Sequence, residues 1–333
     1  MTTFQDCSVG AAVESTYATP VTVTRWFEFL EESLDFSKNI VQGKGLRVSS
    51  RVARSARRVV TTADAGGDLS MECLSKGMGI LWQACLGSGS SALVSGTTYQ
   101  QLFTLGDVLP SLTVQKGLPR VDGTVDAYTL SGTTVDSWEL EAGNADIAKL
   151  TMTMDAKDVT TATAYAAPSY ASGANLFHFA NGSLSTGAFT APTSTALAAG
   201  GTALANIRSA AVKLTHNPDT ERYNFGAGGR KAKPSTGTRE ITGSLEAEYD
   251  SATFRDAVLN ETPMCLILNY TGGALSTGTE QLQIVLPEIK LDGKLPNANG
   301  GQLITQSLEF TALDNLTAAQ PIWVVVRTAD TAL

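Results

Sequence analysis

Twice in this 333-residue chain, a run of alternating apolar and polar residues passes within a few positions into a short helical stripe. The first run is Gly67-Asp68-Leu69-Ser70-Met71-Glu72-Cys73, the period-2 pattern of a half-buried strand. Met78, Leu81, Trp82 and Cys85 follow at i, i+3, i+4 and i+7, which predicts an amphipathic helix. Ser75 is placed to cap its start and Gly87 to stop it. The second run, Glu240 to Tyr249, alternates in the same way. Ser251 is placed to cap a helix with Phe254, Ala257 and Val258 on one face, ended by Asn260 and Pro263. A chain that does this twice is constrained to place one helix beside a sheet in each half.

The parallel extends in both directions. Downstream, Ser137-Trp138-Glu139-Leu140-Glu141, a Gly/Asn turn and Lys149 to Asp155 match Glu288-Ile289-Lys290-Leu291-Asp292, a Gly/Asn/Pro turn and Thr305 to Thr311. Upstream, Phe27 to Phe36 matches Ile207 to Thr215, and each is followed by a long loop containing Gly and Arg/Lys. Identity between the halves is low, so the repeat rests on order and pattern. Clean alternation belongs to antiparallel sheets with one wet face. The expected fold is mainly β: two tandem copies of a β-sandwich or partly open β-barrel, each flanked by one short α-helix.

Charge divides the chain. Residues 21–165 carry 13 Lys/Arg and 16 Asp/Glu, and residues 200–333 carry 11 and 14. Residues 166–199 carry none, and their Ala/Ser/Thr/Gly text reads as an uncharged linker or arm. Within it, Phe177 and Phe179 lie two apart, as in a short docked strand. Residues 1–20 read as an N-terminal arm, without the basic and apolar regions of a secretory signal. The two arms are expected to clasp neighbouring chains and to order on assembly. No run of about 18 apolar residues marks a membrane span. Cys7, Cys73, Cys85 and Cys265 lack CxxC spacing and are expected to be reduced, as in a chain made in a cytoplasm.

Catalytic and cofactor chemistry finds little purchase. Gly226-Ala227-Gly228-Gly229-Arg230-Lys231 is not a phosphate loop, because no Gly-Lys-[Ser/Thr] occurs and Pro234 follows. Gly87-Ser88-Gly89-Ser90-Ser91 follows a helix, whereas a nucleophile elbow follows a strand. His178 and His216 have no further ligand at metal spacing. No catalytic, cofactor-binding or metal-binding residue is therefore expected, and no cofactor. The net charge of −8 argues against a protein that holds nucleic acid by neutralising phosphates over its whole surface.

Three features in this order resemble the major tail tube protein of long-tailed, non-contractile (siphovirus-type) bacteriophages. They are the strand-then-loop start from Arg25 to Lys44, Gly67 to Glu72 leading into a helix, and the late strands around Val135 to Leu140 and Ala148 to Asp155. The resemblance covers most of residues 21–165 and, more faintly, 200–333. It implies a structural virion protein of the tail, assembled in the host cytoplasm, whose rings stack into a hollow conduit for DNA delivery. Implied partners are copies of itself, in a hexameric ring or a trimeric pseudo-sixfold one, and other tail proteins (tape measure, tail tip, terminator). Double-stranded DNA would pass through without being held, and no membrane is involved.

Two surfaces follow as expectations. The acidic, hydroxyl-rich strand faces are expected to line the lumen and repel phosphates: Glu139, Glu141, Thr151, Thr153 and Asp155, then Glu288, Lys290, Asp292, Ser307, Glu309 and Thr311. An ordinary solvated sheet face gives the same pattern. The basic loops are expected to contact other subunits or the next ring: Arg47, Arg51, Arg54, Arg57 and Arg58, with Arg230, Lys231 and Lys233 in the second half. Arg47, Arg51, Arg54 and Arg58 would share one face if their segment were helical. The alternative from another class is a β-sandwich binding or adhesion module for carbohydrate or a receptor. Such a module wants exposed aromatics on one sheet face, but Trp26, Trp82, Trp138 and Trp323 all sit in apolar stripes or strands.

Overall fold

The computed structural model describes residues 3–293 and 303–333. In the first half the strands are β1 (Ser8–Val13), β2 (Arg25–Phe27), β3 (Phe29–Glu32), β4 (Asp35–Gln42) and β5 (Arg58–Glu72). Helix α1 (Gly79–Leu86) follows, then β6 (Gly87–Ser95), β7 (Thr98–Leu105), β8 (Leu112–Pro119), β9 (Val125–Ala142), β10 (Lys149–Ala156) and β11 (Asp158–Thr160). Next come β12 (Gly182–Thr190), β13 (Ala199–Leu204), β14 (Ile207–Thr215) and β15 (Glu240–Glu248). Helix α2 (Thr253–Asn260), β16 (Met264–Ala274), β17 (Thr279–Gly293), β18 (Thr305–Ala312) and β19 (Trp323–Thr328) complete the order. The protein is mainly β, and its strand pairings are antiparallel.

The centre of the molecule is one continuous sheet in the order β3/β4–β5–β10–β9–β14–β15–β18–β17. Its apolar face carries Leu69, Met71, Met152, Trp138, Leu140, Val212, Leu245, Leu308 and Leu291, all in the core. α1 covers the part of this face nearest β9, where Trp82 meets Trp138 edge to face with ring centroids 5.5 Å apart. α2 packs on β17 through the buried Phe254 and Ala257.

β9 and β17 are too long for one sheet. The first part of β9 pairs with β8 and β11, and its second part with β10 and β14. A bulge at Asp136 marks the bend, since Thr153 pairs with Ser137 but Met154 pairs with Val135. In the same way the first part of β17 pairs with β16 and β19, and its end with β18. The pattern β5–β10–β9, with β8 and β11 on the far part of β9, thus recurs as β15–β18–β17 with β16 and β19. Among the described residues the hairpin β6–β7 has no counterpart in the second half, and β7 pairs with β19 of the second half.

Both presumptive arms are parts of the folded chain. β1 is a core strand between β2 and β8. Just after it, the buried carboxylate of Glu14 accepts hydrogen bonds from Ser111, Thr113, and the backbone N–H groups of Ala18 and Gly132. Residues 166–199 are paired too, not an unattached linker. Leu176 bridges Leu74, His178 bridges Ile147, Phe177 is fully buried, and β12 lies between β13 and β16. Apolar burial and backbone pairing can hold such a segment without a single charge.

The helices occur where the stripes predict them. Gly87 adopts the left-handed conformation at the end of α1 (φ 97°), as a C′ glycine does. The N-caps differ from expectation. Neither helix start has a side-chain cap, and the Ser75 hydroxyl instead accepts a hydrogen bond from the Asn175 backbone N–H.

Candidate assembly surfaces

The face of the central sheet opposite the helices is polar and uncovered. Its register runs Glu31–Ser70–Thr151–Glu139–Lys213–Thr242–Thr311–Lys290, one row across the whole sheet. A second row runs Glu72–Lys149–Glu141–Ala211–Ser244–Glu309–Asp292. Glu139, Lys213, Thr242, Ser244, Asp292, Glu309 and Thr311 line one shallow depression on this face. Hydroxyls link neighbouring strands: Thr153 donates to Asp68 at 2.7 Å, and Ser70 and Thr151 lie 3.1 Å apart. Acidic side chains outnumber the three lysines, Lys149, Lys213 and Lys290.

Glu139, Glu141, Thr151, Thr153, Lys290, Asp292, Ser307, Glu309 and Thr311 therefore lie together on one face. Glu288 lies on the same side of β17 but before its pairing with β18, and is half-buried. Asp155 departs from the expectation of an open wall position, because Lys231 covers it.

The long loop between β14 and β15 crosses from the second half to the first. Lys231 is 3% exposed, and its ammonium group lies 2.5 Å from both Asp155 and Asp64. Burial alone would lower the Lys231 pKa, but hydrogen bonds to the two carboxylates outweigh it and hold the ammonium above its ordinary value. Arg230 pairs with Asp158 at 3.1 Å and lies over the Phe36 ring. Lys233 lies over the Tyr17 ring. The Ala63 backbone N–H donates to the Gly229 carbonyl at 2.9 Å. Gly229 has φ +73°, and a Cβ there would meet the Thr61 carbonyl at 2.4 Å, so the close approach requires glycine. Lys231 is thus buried inside the chain instead of reaching other subunits, and Arg230 is also paired there, with 31% of its side chain still exposed.

The corresponding basic loop of the first half has no such dock. It forms no helix, only a short 3-10 turn at Ser55–Arg57, so Arg47, Arg51, Arg54 and Arg58 do not share a helical face. β4 and the outer part of β5 form a hairpin whose Ile40, Val41, Val59 and Val60 are all exposed. Leu46, Val48 and Val52 in the loop are exposed as well. The hairpin thus bares apolar side chains on a basic arm. Sequence reasoning marked the arginines but not these aliphatics, although Leu46, Val48 and Val52 alternate with them in the text.

Among the described residues, no group of three or more His, Cys, Asp or Glu is placed to hold a metal ion. The cysteines are free, and burial pushes the Cys73 thiol up to about 12 and the Cys265 thiol up to about 11, which leaves them protonated and unreactive. Trp82, Trp138 and Trp323 are buried in the core, so three of the four tryptophans cannot form an aromatic binding stripe.

His216 is fully buried, and its Nε2–H donates to the Cys85 carbonyl at 2.8 Å. Burial lowers its pKa from 6.5 to about 4, against the opposing effect of that hydrogen bond. Because the folded pKa is below the unfolded one, the stability tied to neutral His216 is complete above pH 6.5. It is lost as the pH falls through 6.5 toward about 4, with about 2 kcal/mol gone by about pH 5. Urea midpoints measured across this window should fall for the native chain and stay flatter for His216→Gln.

The fold and its surfaces define a class: a mainly-β chain whose prominent surfaces are a long polar sheet face and a bare basic hairpin. A family model described as phage tail tube protein matches residues 5–312, and the chain belongs to that family. No curated protein matches it significantly. The family is that of a structural component of the virion tail. No helix of the described residues is long and apolar enough to cross a membrane.

Proposed function

We propose that this chain is a siphovirus-type tail tube subunit that polymerises into stacked rings and forms the conduit for DNA delivery. The carrying observation is the central sheet. It runs unbroken from the first half to the second through β9 and β14, and among the described residues it stops only at the outer edge of β3/β4 and the end of β17. An unpaired edge is a template for another strand, and repeated pairing closes a barrel that has no edge. The recurrence of one pairing pattern in both halves supports a duplicated unit spanning 21–165 and 200–333. Three chains would then make a pseudo-sixfold ring; six chains are the alternative.

The acidic, hydroxyl-rich face would line the lumen. Like charge repels phosphate, so double-stranded DNA slides instead of adhering. No catalysis or cofactor enters this reading. Tape measure, tail tip and terminator proteins would cap and gauge the tube, and assembly would take place in the host cytoplasm. The exposed Arg47, Arg51, Arg57 and Arg58 and the half-buried Arg54 would contact other subunits.

Electron microscopy of the concentrated, purified chain tests this reading. Rings or tubes of uniform width are expected, and a monodisperse monomer at every concentration would overturn it. A reconstruction of the tube with Glu139, Glu141 and Glu309 on its outer surface would sink the lumen assignment alone.

A further inference from the structure

The contact between the two halves within one chain resembles half of a repeating contact, and the other half is bare. Strand register sets the correspondence. Glu72 pairs with Lys149 at the helix-proximal ends of β5 and β10, as Glu248 pairs with Thr305 in β15 and β18. Carried along the strands, this places Asp64 against Glu240, Asp155 against Thr311, and Asp158 against Asp314. Counted back from β5 and β15, it places Arg54-Ser55-Ala56-Arg57 against Arg230-Lys231-Ala232-Lys233.

The correspondence keeps both sides of the contact complementary. Arg230 pairs with Asp158 in the chain, and their counterparts are Arg54 and Asp314, again a cation and an anion. Lys231 is buried against Asp155, and their counterparts are Ser55 and Thr311, two hydroxyls. The buried Lys231–Asp155 pair is thus replaced on both sides at once, since a charge left on one side alone would be costly to bury, while the half-exposed Asp64, the second partner of Lys231, has the exposed Glu240 as its counterpart. Glu240 and Asp314 are exposed, with no ion-pair partner among the described residues, and the exposed Leu313 and Leu316 lie beside Asp314 in the chain. They offer apolar surface to the bare valines of the hairpin.

We infer that the basic arm of one protomer docks on the second half of another copy of the same chain, with Arg54 against Asp314, Ser55 facing Thr311 and Glu240, and Arg57 beside them where Lys233 stands in the internal contact. This repeats between chains the contact that Arg230 and Lys231 make within one. The occupant is a second copy because the donor and acceptor sets correspond position by position to a contact the chain already makes with itself. The inference rests on the ring reading above and specifies its lateral joint: the arm links protomers side by side, at the same level as the junction between halves.

The test uses the full chain and measures assembly by sedimentation and electron microscopy. Arg54→Glu with Arg57→Glu should cut assembled material at least tenfold, and so should Glu240→Arg with Asp314→Arg. The variant combining all four should recover most of it. Arg57, Glu240 and Asp314 are exposed and Arg54 is half-buried, and unchanged thermal unfolding of the unassembled variants would show that folding is not the cause. Independently, chains bearing Arg54→Cys mixed with chains bearing Asp314→Cys should form a disulfide that must be intermolecular. If wild type assembles and both charge-reversed variants assemble equally well, or the mixed cysteines do not cross-link, this inference is overturned while the ring reading stands. If wild type forms no rings or tubes, both fall together.

Discussion

Replacing Lys231 with methionine should lower folding stability by about 3–5 kcal/mol, the range for breaking a buried charge pair from one side. Methionine keeps most of the apolar stem but leaves Asp155 beneath it, with its side chain 11% exposed and no cation. Asp64 suffers less, since its side chain is 51% exposed and water can solvate it. The loss should therefore come mainly from Asp155. The double variant Lys231→Met, Asp155→Leu should regain much of the stability by removing the stranded charge. Urea unfolding of the three proteins checks this. Equal destabilisation of the single and double variants would mean that the loop is held by its backbone contacts and not by the ion pair.

A comparable loss, about 3–5 kcal/mol, is expected for Trp138→Ala. Trp138 lies where β9 meets both β10 and β14, with α1 on top of it through Trp82. Truncation opens a cavity at the seam between the halves. Trp138→Phe should cost far less, about 1 kcal/mol, because a ring remains to face Trp82 and the indole N–H, which has no partner in the folded chain, disappears. The ordering of these two variants in denaturant midpoint is the measurement; a phenylalanine as harmful as alanine would contradict the packing account.

What the sequence made legible was local. The stripe of α1, its Gly87 stop and the bounds of β14 were readable because they depend on neighbours three, four or two residues away. The shared acidic face was also readable, since alternation alone puts Glu139, Glu141, Thr151 and Thr153 on one side. The misses arose from partners distant in the chain. Phe177 and Phe179 read as a short docked strand, but its partners Leu74 and Ile147 are far away in the chain, and no pattern within residues 166–199 announces them. Asp155 looked like a wall residue because the cation covering it is 76 positions away. The arginines of residues 47–58 had helical spacing, but a helix also needs a core to receive its other face, and this loop has none.

The hairpin β6–β7 gives the molecule a different kind of property. β19 lies between β7, more than two hundred residues earlier, and β17. On the ribosome, residues 98–105 must wait with an unpaired edge until residue 328 has emerged. Pairings of such sequence separation form slowly and late. A nascent fragment with this edge open is exposed to wrong pairing, whereas a finished one has the edge sealed. The threading of one half's sheet through the other thus acts as a completeness check: a chain cut short before β19 keeps the β7 edge open, whereas in a finished subunit β19 seals that edge.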